Sequence, residues 1–224
     1  MNTPAPIDGT LRKFALRIPA VIQQQCSGIP IFGKLIKSIV FSTDLAIIRN
    51  INADAIMAVY PFTPQPVITQ AILSASDIPV FAGVGGGLTQ GRRVVHMASY
   101  AEMQGAIGVV VNAPTVNEVI CEVSQMIDIP VIVTVAREDT DFRARVDAGT
   151  AIFNVSAASE TANVVKKIRA QFPDFPIIAT GGPTDESIAR TIEAGANAIT
   201  WTAPSNAEIF KSIMTAYRAG EAHP

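Results

Sequence analysis

The sequence predicts an α/β chain folded as a single (β/α)8 TIM barrel with an N-terminal helical extension, residues 1–36 forming the extension and residues 37–224 the barrel. Three observations predict it. Pro-initiated apolar runs of nearly the same wording recur: "DIPVFAG" at 77–83, "DIPVIVT" at 128–134 and "DFPIIAT" at 174–180. A second strand type alternates with them, so that strand–helix–strand–helix units repeat about every 45–50 residues. The strand runs number eight, the count at which a parallel sheet closes on itself.

The elements follow in order. "KSIVFS" at 37–42 is the first strand; "SGIPIFGKL" at 27–35 also carries an Ile-Pro start, and a first strand at 29–34 puts Lys34 at the strand top in place of Ser42. "ADAIMAVY" at 53–60 is the second and "DIPVFAG" the third. "GAIGVVVN" at 105–112, "GTAIFNVS" at 149–156 and "GANAITWT" at 195–202 are the fourth, sixth and eighth, each entered from a small residue. Helical spacing marks "VNEVICEVSQMI" (116–127), "ETANVVKKIRAQF" (160–172), "DESIARTIEAG" (185–195) and the last helix, "NAEIFKSIMTAYR". Apolar strands with helical crossovers throughout mean a parallel sheet covered on its outer face. An open doubly wound sheet is the rival, and it calls for a glycine fingerprint after the first strand. "SIVFSTDLAII" has no glycine there, and "GVGGGLTQG" at 83–91 does not fit G-x-G-x-x-G.

Composition narrows the function classes. The chain is 49% hydrophobic and only 16% charged, against an average charged fraction of about 25%. A formal charge of -2 with scattered Lys and Arg leaves no electrostatic footprint for nucleic acid or a membrane surface. No apolar run approaches the roughly 18 residues of a membrane span, and Met1–Thr10 lacks the pattern of a secretory signal, so the expected location is cytoplasmic. Cys26 and Cys121 form no CxxC pair and read as free thiols. The segment "LRKFALRIPAVIQQQ" supplies either a barrel-bottom plug or a subunit contact, the latter in a homo-oligomer.

The repeat locates a site. Active sites of this fold lie at the C-terminal strand ends. There the sequence places Ser42, Tyr60, Asn112, Thr134, Ser156, Thr180 and Thr202, small hydroxylic or amide residues over Val, Ile, Ala and Phe. Such a polar bowl is expected to bind a small polar substrate, with Arg137 beside it. Gly181-Gly182 follows the seventh strand, and Thr184 N-caps the next helix with Asp185 and Glu186 in its first turn. Glycines at this place let backbone N–H groups approach an anion, and tight-turn geometry alone is the competing account.

"IIATGGPTDESIARTIEAGANAIT" resembles the seventh-to-eighth strand segment of the phosphate-binding barrels related to ribulose-phosphate-binding enzymes: ketohexose-phosphate aldolases, phosphosugar epimerases, and thiamine-phosphate and indole-glycerol-phosphate synthases. The flavin-binding barrels carry a similar glycine pair. The resemblance spans about 30 residues. It implies phosphate contacts from Gly181 and Gly182 and a second contribution after the eighth strand, where "TWTAPSNAE" offers Ala203 and Ser205. Relatives place a glycine with Ser, Thr or Arg there; Trp201 and Pro204 make this loop bulkier.

For chemistry, a Schiff-base aldolase needs a desolvated lysine at a strand top, and only Lys34 and Lys37 are near a strand. The two histidines, His96 and His223, form no metal cluster, so no metal is expected. Asp44 and Glu138 are the candidate proton-transfer carboxylates, with helix capping by Asp44 and solvated helix charge at Glu138 as the structural alternatives. "GVGGGLTQGRR" is a candidate lid, with Thr89 and Gln90 as contacts and Arg92 or Arg93 as anion partners. The expected function is a lyase, isomerase or epimerase acting on a small phosphorylated sugar-like metabolite of carbohydrate metabolism, without a cofactor. An FMN-dependent oxidoreductase and a catalytically silent barrel sensing a phosphorylated metabolite are the alternatives.

Overall fold

Proline placement explains the strand entrances. In this computed structural model, which describes residue 5 and residues 15–223, Pro79, Pro130 and Pro176 each stand one residue before a strand. Each gives only its carbonyl to the preceding strand: Ile56 N–H donates to Pro79 at 2.8 Å, Val109 to Pro130 at 3.0 Å and Phe153 to Pro176 at 3.1 Å. No donor is needed there, so the missing N–H costs nothing. The other strand type begins after Gly105, Gly149 or Gly195, each left-handed (φ 96°, 104° and 114°). These are helix C-caps, as in Gly105 N–H to Glu102 O at 2.8 Å with Ala106 N–H to Ala101 O at 3.0 Å.

The chain runs α1 (Ala20–Gln25), β1 (Ile29–Ile31), β2 (Lys34–Ile36), β3 (Ser38–Phe41), α2 (Leu45–Ile48), β4 (Ala55–Ala58), α3 (Pro66–Ala75), β5 (Val80–Gly85), α4 (Arg92–Met103) and β6 (Gly108–Val111). It continues α5 (Asn117–Met126), β7 (Val131–Val135), α6 (Phe142–Asp147), β8 (Ile152–Val155), a 3-10 turn at Ala158–Glu160, α7 (Thr161–Gln171), β9 (Ile177–Thr180), α8 (Asp185–Glu193), β10 (Ala198–Thr202) and α9 (Asn206–Arg218). Strands β3 to β10 form a closed barrel in the order β10-β3-β4-β5-β6-β7-β8-β9, every pair parallel. The predicted (β/α)8 barrel is the observed fold. A bulge at Val84 shifts the β5–β6 register, so that Gly83 faces Val110 and Gly85 faces Val111.

Two apolar layers hold the barrel. Ile39, Ala55, Met57, Phe81, Val110, Ile132, Ile152, Ile178 and Ala198 fill the interior, while larger clusters pack the outer strand faces on the helices. The interior cluster includes Ile29, Ile31 and Ile36 of the β1–β2 pair, which is antiparallel. Its turn uses Phe32 (φ 45°) and Gly33 (φ 79°), the two successive left-handed residues of a tight hairpin. Ile29–Phe32 share one surface depression with the strand entrances at Pro130, Ala151 and Pro176. The hairpin therefore plugs the barrel bottom.

That resolves the first strand. β3 takes the 37–42 register, and Lys34 lies exposed in the hairpin at the end opposite the strand tops. A lysine there does not serve Schiff-base chemistry above the barrel. The N-terminal extension is partly helical, through α1, and partly this hairpin. In "LRKFALRIPAVIQQQ", Leu16 bridges Ile51, and Ile18 and Ile22 are buried with Ile48, Ile51 and Ile199; residues 11–14 lie outside the described residues. Within this segment α1 packs on α8, and α9, predicted as the eighth crossover helix, has no buried residue. Among the described residues no helix is long and apolar enough to cross a membrane.

A polar clamp fixes α1 to the barrel bottom. Asp54 Oδ2 accepts from Lys37 N–H (2.9 Å), Ser38 N–H (2.9 Å), Ser38 Oγ (2.9 Å) and Gln23 Nε2 (3.0 Å). Four donors converging on one carboxylate oxygen leave unsatisfied groups behind when it is removed. Asp54→Ala is expected to lower the unfolding free energy by about 3 kcal/mol in urea titration. Beside the clamp, burial pushes the Cys26 thiol from 9.0 up to about 11, with Lys37 opposing and Asp54 adding to the shift. The folded chain thus keeps a proton that the unfolded chain loses first. Stability from this group is full below about pH 9 and lost as pH rises through about 11, and Cys26→Ala is expected to flatten the stability–pH curve over that window.

Candidate functional site

Alternation along the strands decides what faces the barrel axis. Because Ile39, Ile132, Ile152, Ile178 and Ala198 point inward, so do Phe41, Thr134, Asn154, Thr180 and Thr200, two residues further up. Above the apolar layer the interior therefore turns polar. A cavity of about 270 Å³ opens at this level, walled by Phe41, Met57, Val59, Val110, Asn112, Thr134, Asn154 and Ser156. It is completed by the loops after β4 (Tyr60 to Pro64) and β5 (Gly85 to Thr89).

The polar wall is partly unsatisfied. Asn154 is 7% exposed; its Nδ2 donates to Thr134 Oγ1 at 3.3 Å, while Oδ1 has no hydrogen-bond partner among the described residues. Thr89 Oγ1, in a residue 5% exposed on the same cavity wall, and Thr200 Oγ1 are likewise buried without partners. A buried polar atom left unpaired costs about 1–3 kcal/mol, which a ligand hydrogen bond recovers. Among the described residues Tyr60 is the sole titratable side chain on the wall; its hydroxyl accepts from Gln65 N–H at 2.8 Å, which leaves its own O–H to donate.

The structure brings Tyr60, Asn112, Thr134 and Ser156 together, and Thr89 with them. It places the other expected residues elsewhere. Ser42 Oγ accepts from Asp44 N–H at 3.1 Å below α2. Asp44 N-caps α2, Oδ1 accepting from Ala46 N–H (2.8 Å) and Ile47 N–H (3.3 Å), while Oδ2 accepts from Asn206 Nδ2 at 2.6 Å. Capping thus engages Oδ1, and the side chain of Asn206 engages Oδ2. Glu138 is exposed and its carbonyl accepts from Lys167 Nζ at 2.9 Å. Arg137 pairs with Asp139 at 2.9 and 2.5 Å in solvent; the shared hydrogen bond and charge raise the guanidinium and hold the Asp139 carboxyl below its usual range. Thr202 is exposed at the end of β10. Arg92 and Arg93 are exposed on α4.

The glycine pair has a packing reason at each position. A Cβ on Gly181 would stand 2.7 Å from Ile188 Cγ1 and 2.8 Å from Ile199 Cγ2, and its N–H donates to Thr200 O at 3.3 Å. Gly182 has φ 87° and closes on Ser187 Oγ. The pair lines, with Thr180, Lys166 and Arg190, a groove between α7 and α8 and not the central cavity. The helix starts on this side already carry carboxylates. Glu186 lies low because its own N–H and Thr184 bond to it, and Glu208 because Ser205 does; Ser205 Oγ donates to Glu208 Oε2 at 2.7 Å. Ala203 is half-buried against the outer core.

Asn154 and Thr200 were legible but unread in the sequence. Each is a lone polar residue inside an apolar strand run, "AIFNVS" and "NAITWT", two positions below the residue counted as the strand top.

Solved structures share this architecture. A candidate phosphonomutase from Burkholderia cenocepacia J2315 has a TM-score of 0.65 at 16% identity, with 90% of this chain and 99% of that one covered. A phosphonopyruvate hydrolase in complex with oxalate and Mg++ gives 0.61 at 13%, covering 90% and 86%. A phosphoenolpyruvate phosphomutase from Streptomyces platensis subsp. rosaceus gives 0.61 at 17%, covering 82% and 83%. Likeness at these identities establishes a TIM barrel and does not single out the ribulose-phosphate-binding enzymes. No protein-family model matches the chain, and no curated protein matches it. Among the described residues no group of three or more His, Cys, Asp or Glu stands together to hold a metal ion.

Proposed function

We propose that this barrel binds a small phosphorylated metabolite over its strand tops and acts on it as a lyase, mutase or isomerase. The observation that supports it is the pair of buried, unpartnered polar atoms on one cavity wall, Asn154 Oδ1 and Thr89 Oγ1. Thr134, Asn112 and Ser156 orient the ligand, and Tyr60 donates or holds a proton at its phenolic oxygen, within the cavity. Asp44, held at the α2 N-cap and by Asn206, and Glu138, exposed, stay the candidate proton-transfer carboxylates although neither lines the cavity. The expected phosphate residues Gly181, Gly182, Ala203 and Ser205 stand outside the cavity lining; Gly181 N–H is committed to Thr200, so a phosphate in the groove beside the cavity would take its turn donor from Gly182 N–H. The kinds of protein named among the structural neighbours, phosphomutases and a phosphonopyruvate hydrolase, agree with a small phosphorylated substrate at this coarse level.

A catalytically silent sensor is the second reading, favoured by the wall's single titratable side chain. A thermal-shift panel of phosphorylated sugars, inorganic phosphate and FMN tests both. A ligand at one hundred times its Kd is expected to add about 2.7 kcal/mol of stability. Absence of any shift at saturating concentrations counts against all readings of a phosphorylated ligand. Turnover of the stabilising compound, lost in Tyr60→Phe while binding persists, separates enzyme from sensor; a yellow preparation points to the FMN-dependent oxidoreductase.

A further inference from the structure

We infer that the part of the ligand entering the cavity is uncharged and amphipathic, with hydrogen-bonding groups read by Asn154 and Thr89 and an apolar body covered by Phe62 and Leu88. The inference rests on the reading that this cavity is the ligand site. Three observations carry it.

First, among the described residues no Asp, Glu, Lys, Arg or His lines the cavity. A charge inserted there finds no counter-charge and loses its hydration, a cost of several kcal/mol in a largely apolar site. Any phosphate therefore stays at the mouth. Second, the wall offers both kinds of group: Asn112, Thr134, Asn154 and Ser156 from the β6–β8 side and Tyr60 and Thr89 from the loops after β4 and β5 bring amide and hydroxyl groups, while Phe41, Met57, Val59 and Val110 bring apolar surface. Third, the loops after β4 and β5 hold two large apolar side chains in water at this cavity, Phe62 at 72% and Leu88 at 93% exposure.

Those loops are anchored. Gln65 N–H bonds the Tyr60 hydroxyl at 2.8 Å, Gly86 N–H bonds Thr89 O at 2.8 Å, and Gln90 Nε2 bonds Gly87 O at 2.9 Å. Phe62 and Leu88 are thus presented by built turns. Apolar side chains concentrated at a cavity mouth mark a binding surface. The specificity this implies is for a ligand with a hydrocarbon or ring face beside hydroxyl, carbonyl or amide groups.

The test measures binding of two homologous series, 1,2-alkanediols from propanediol to hexanediol and their 1-phosphates, to the full chain by calorimetry. The expected result is that each added methylene tightens binding about fourfold in either series. The Phe62→Ser/Leu88→Ser double variant, altered only at exposed positions, is expected to lose that increment, and Asn154→Leu to weaken all members at least tenfold. Phosphates binding equally at every chain length, or no member of either series binding, overturns the inference. Diols tightening with length while their phosphates bind no better upholds the inference and removes the phosphorylated-metabolite reading.

Discussion

Gly86→Ala is expected to destabilise the protein by about 3–4 kcal/mol and lower its melting temperature by about 10 °C. An added Cβ would stand 2.0 Å from Thr115 Oγ1, 2.7 Å from Asn112 N and 3.0 Å from Asn112 O, so two of the three contacts are backbone that cannot rotate away. Gly86 also has φ 102°, a left-handed conformation that costs an alanine a further 1–2 kcal/mol or so. The two loops are stitched here, Asn112 N–H donating to Gly85 O at 2.9 Å. Pushing them apart opens the cavity between β5 and β6. The adjacent Gly87 meets nothing within 4 Å. Gly87→Ala therefore serves as the control, with an expected change within about 1 kcal/mol. Equal urea midpoints for the two variants would defeat the account of a stitched loop.

Asn154→Leu is expected to raise stability by about 1 kcal/mol and weaken ligand binding by at least tenfold. The two effects have one cause. Asn154 is buried with its Oδ1 unpartnered, an arrangement that costs the unliganded fold free energy, and an apolar side chain of similar volume removes the cost. The same atom is what a ligand donor pairs with, so its removal takes away a hydrogen bond the ligand made on desolvation. Urea unfolding supplies one number and calorimetry the other. A variant that loses stability shows that Asn154 serves the fold, through its 3.3 Å bond to Thr134, and not a ligand.

The glycine-rich "GVGGGLTQG" segment shows how far a sequence pattern reaches. Glycine density predicts either mobility or close approach, and it cannot choose between them. The structure places Gly85 and Gly86 in close approach to neighbouring backbone and leaves Gly87 and Leu88 projecting. Likewise Asp44 at a strand top reads equally as a catalyst or a cap; its bonds to Ala46, Ile47 and Asn206 are formed across 162 residues of chain in the last case.

By itself the sequence determined the barrel. Proline at one strand entrance and glycine at the other are local devices, one supplying a carbonyl without needing a donor, the other ending a helix in the left-handed region, and their alternation repeats often enough to be counted. Of the strand-top residues the sequence names, Tyr60, Asn112, Thr134 and Ser156 line the cavity, while Asn154, two positions below Ser156, lines it as well and is not among them. Only the tertiary structure decided the rest: that Ile29–Ile36 is a plug and not the first strand, that Gly181-Gly182 faces the α7–α8 groove, and that Asn154 and Thr89 share a cavity. These depend on closure of the barrel, which brings β5 and β8 loops within one small volume although 65 residues separate Thr89 from Asn154. Local pattern contains no term for that distance.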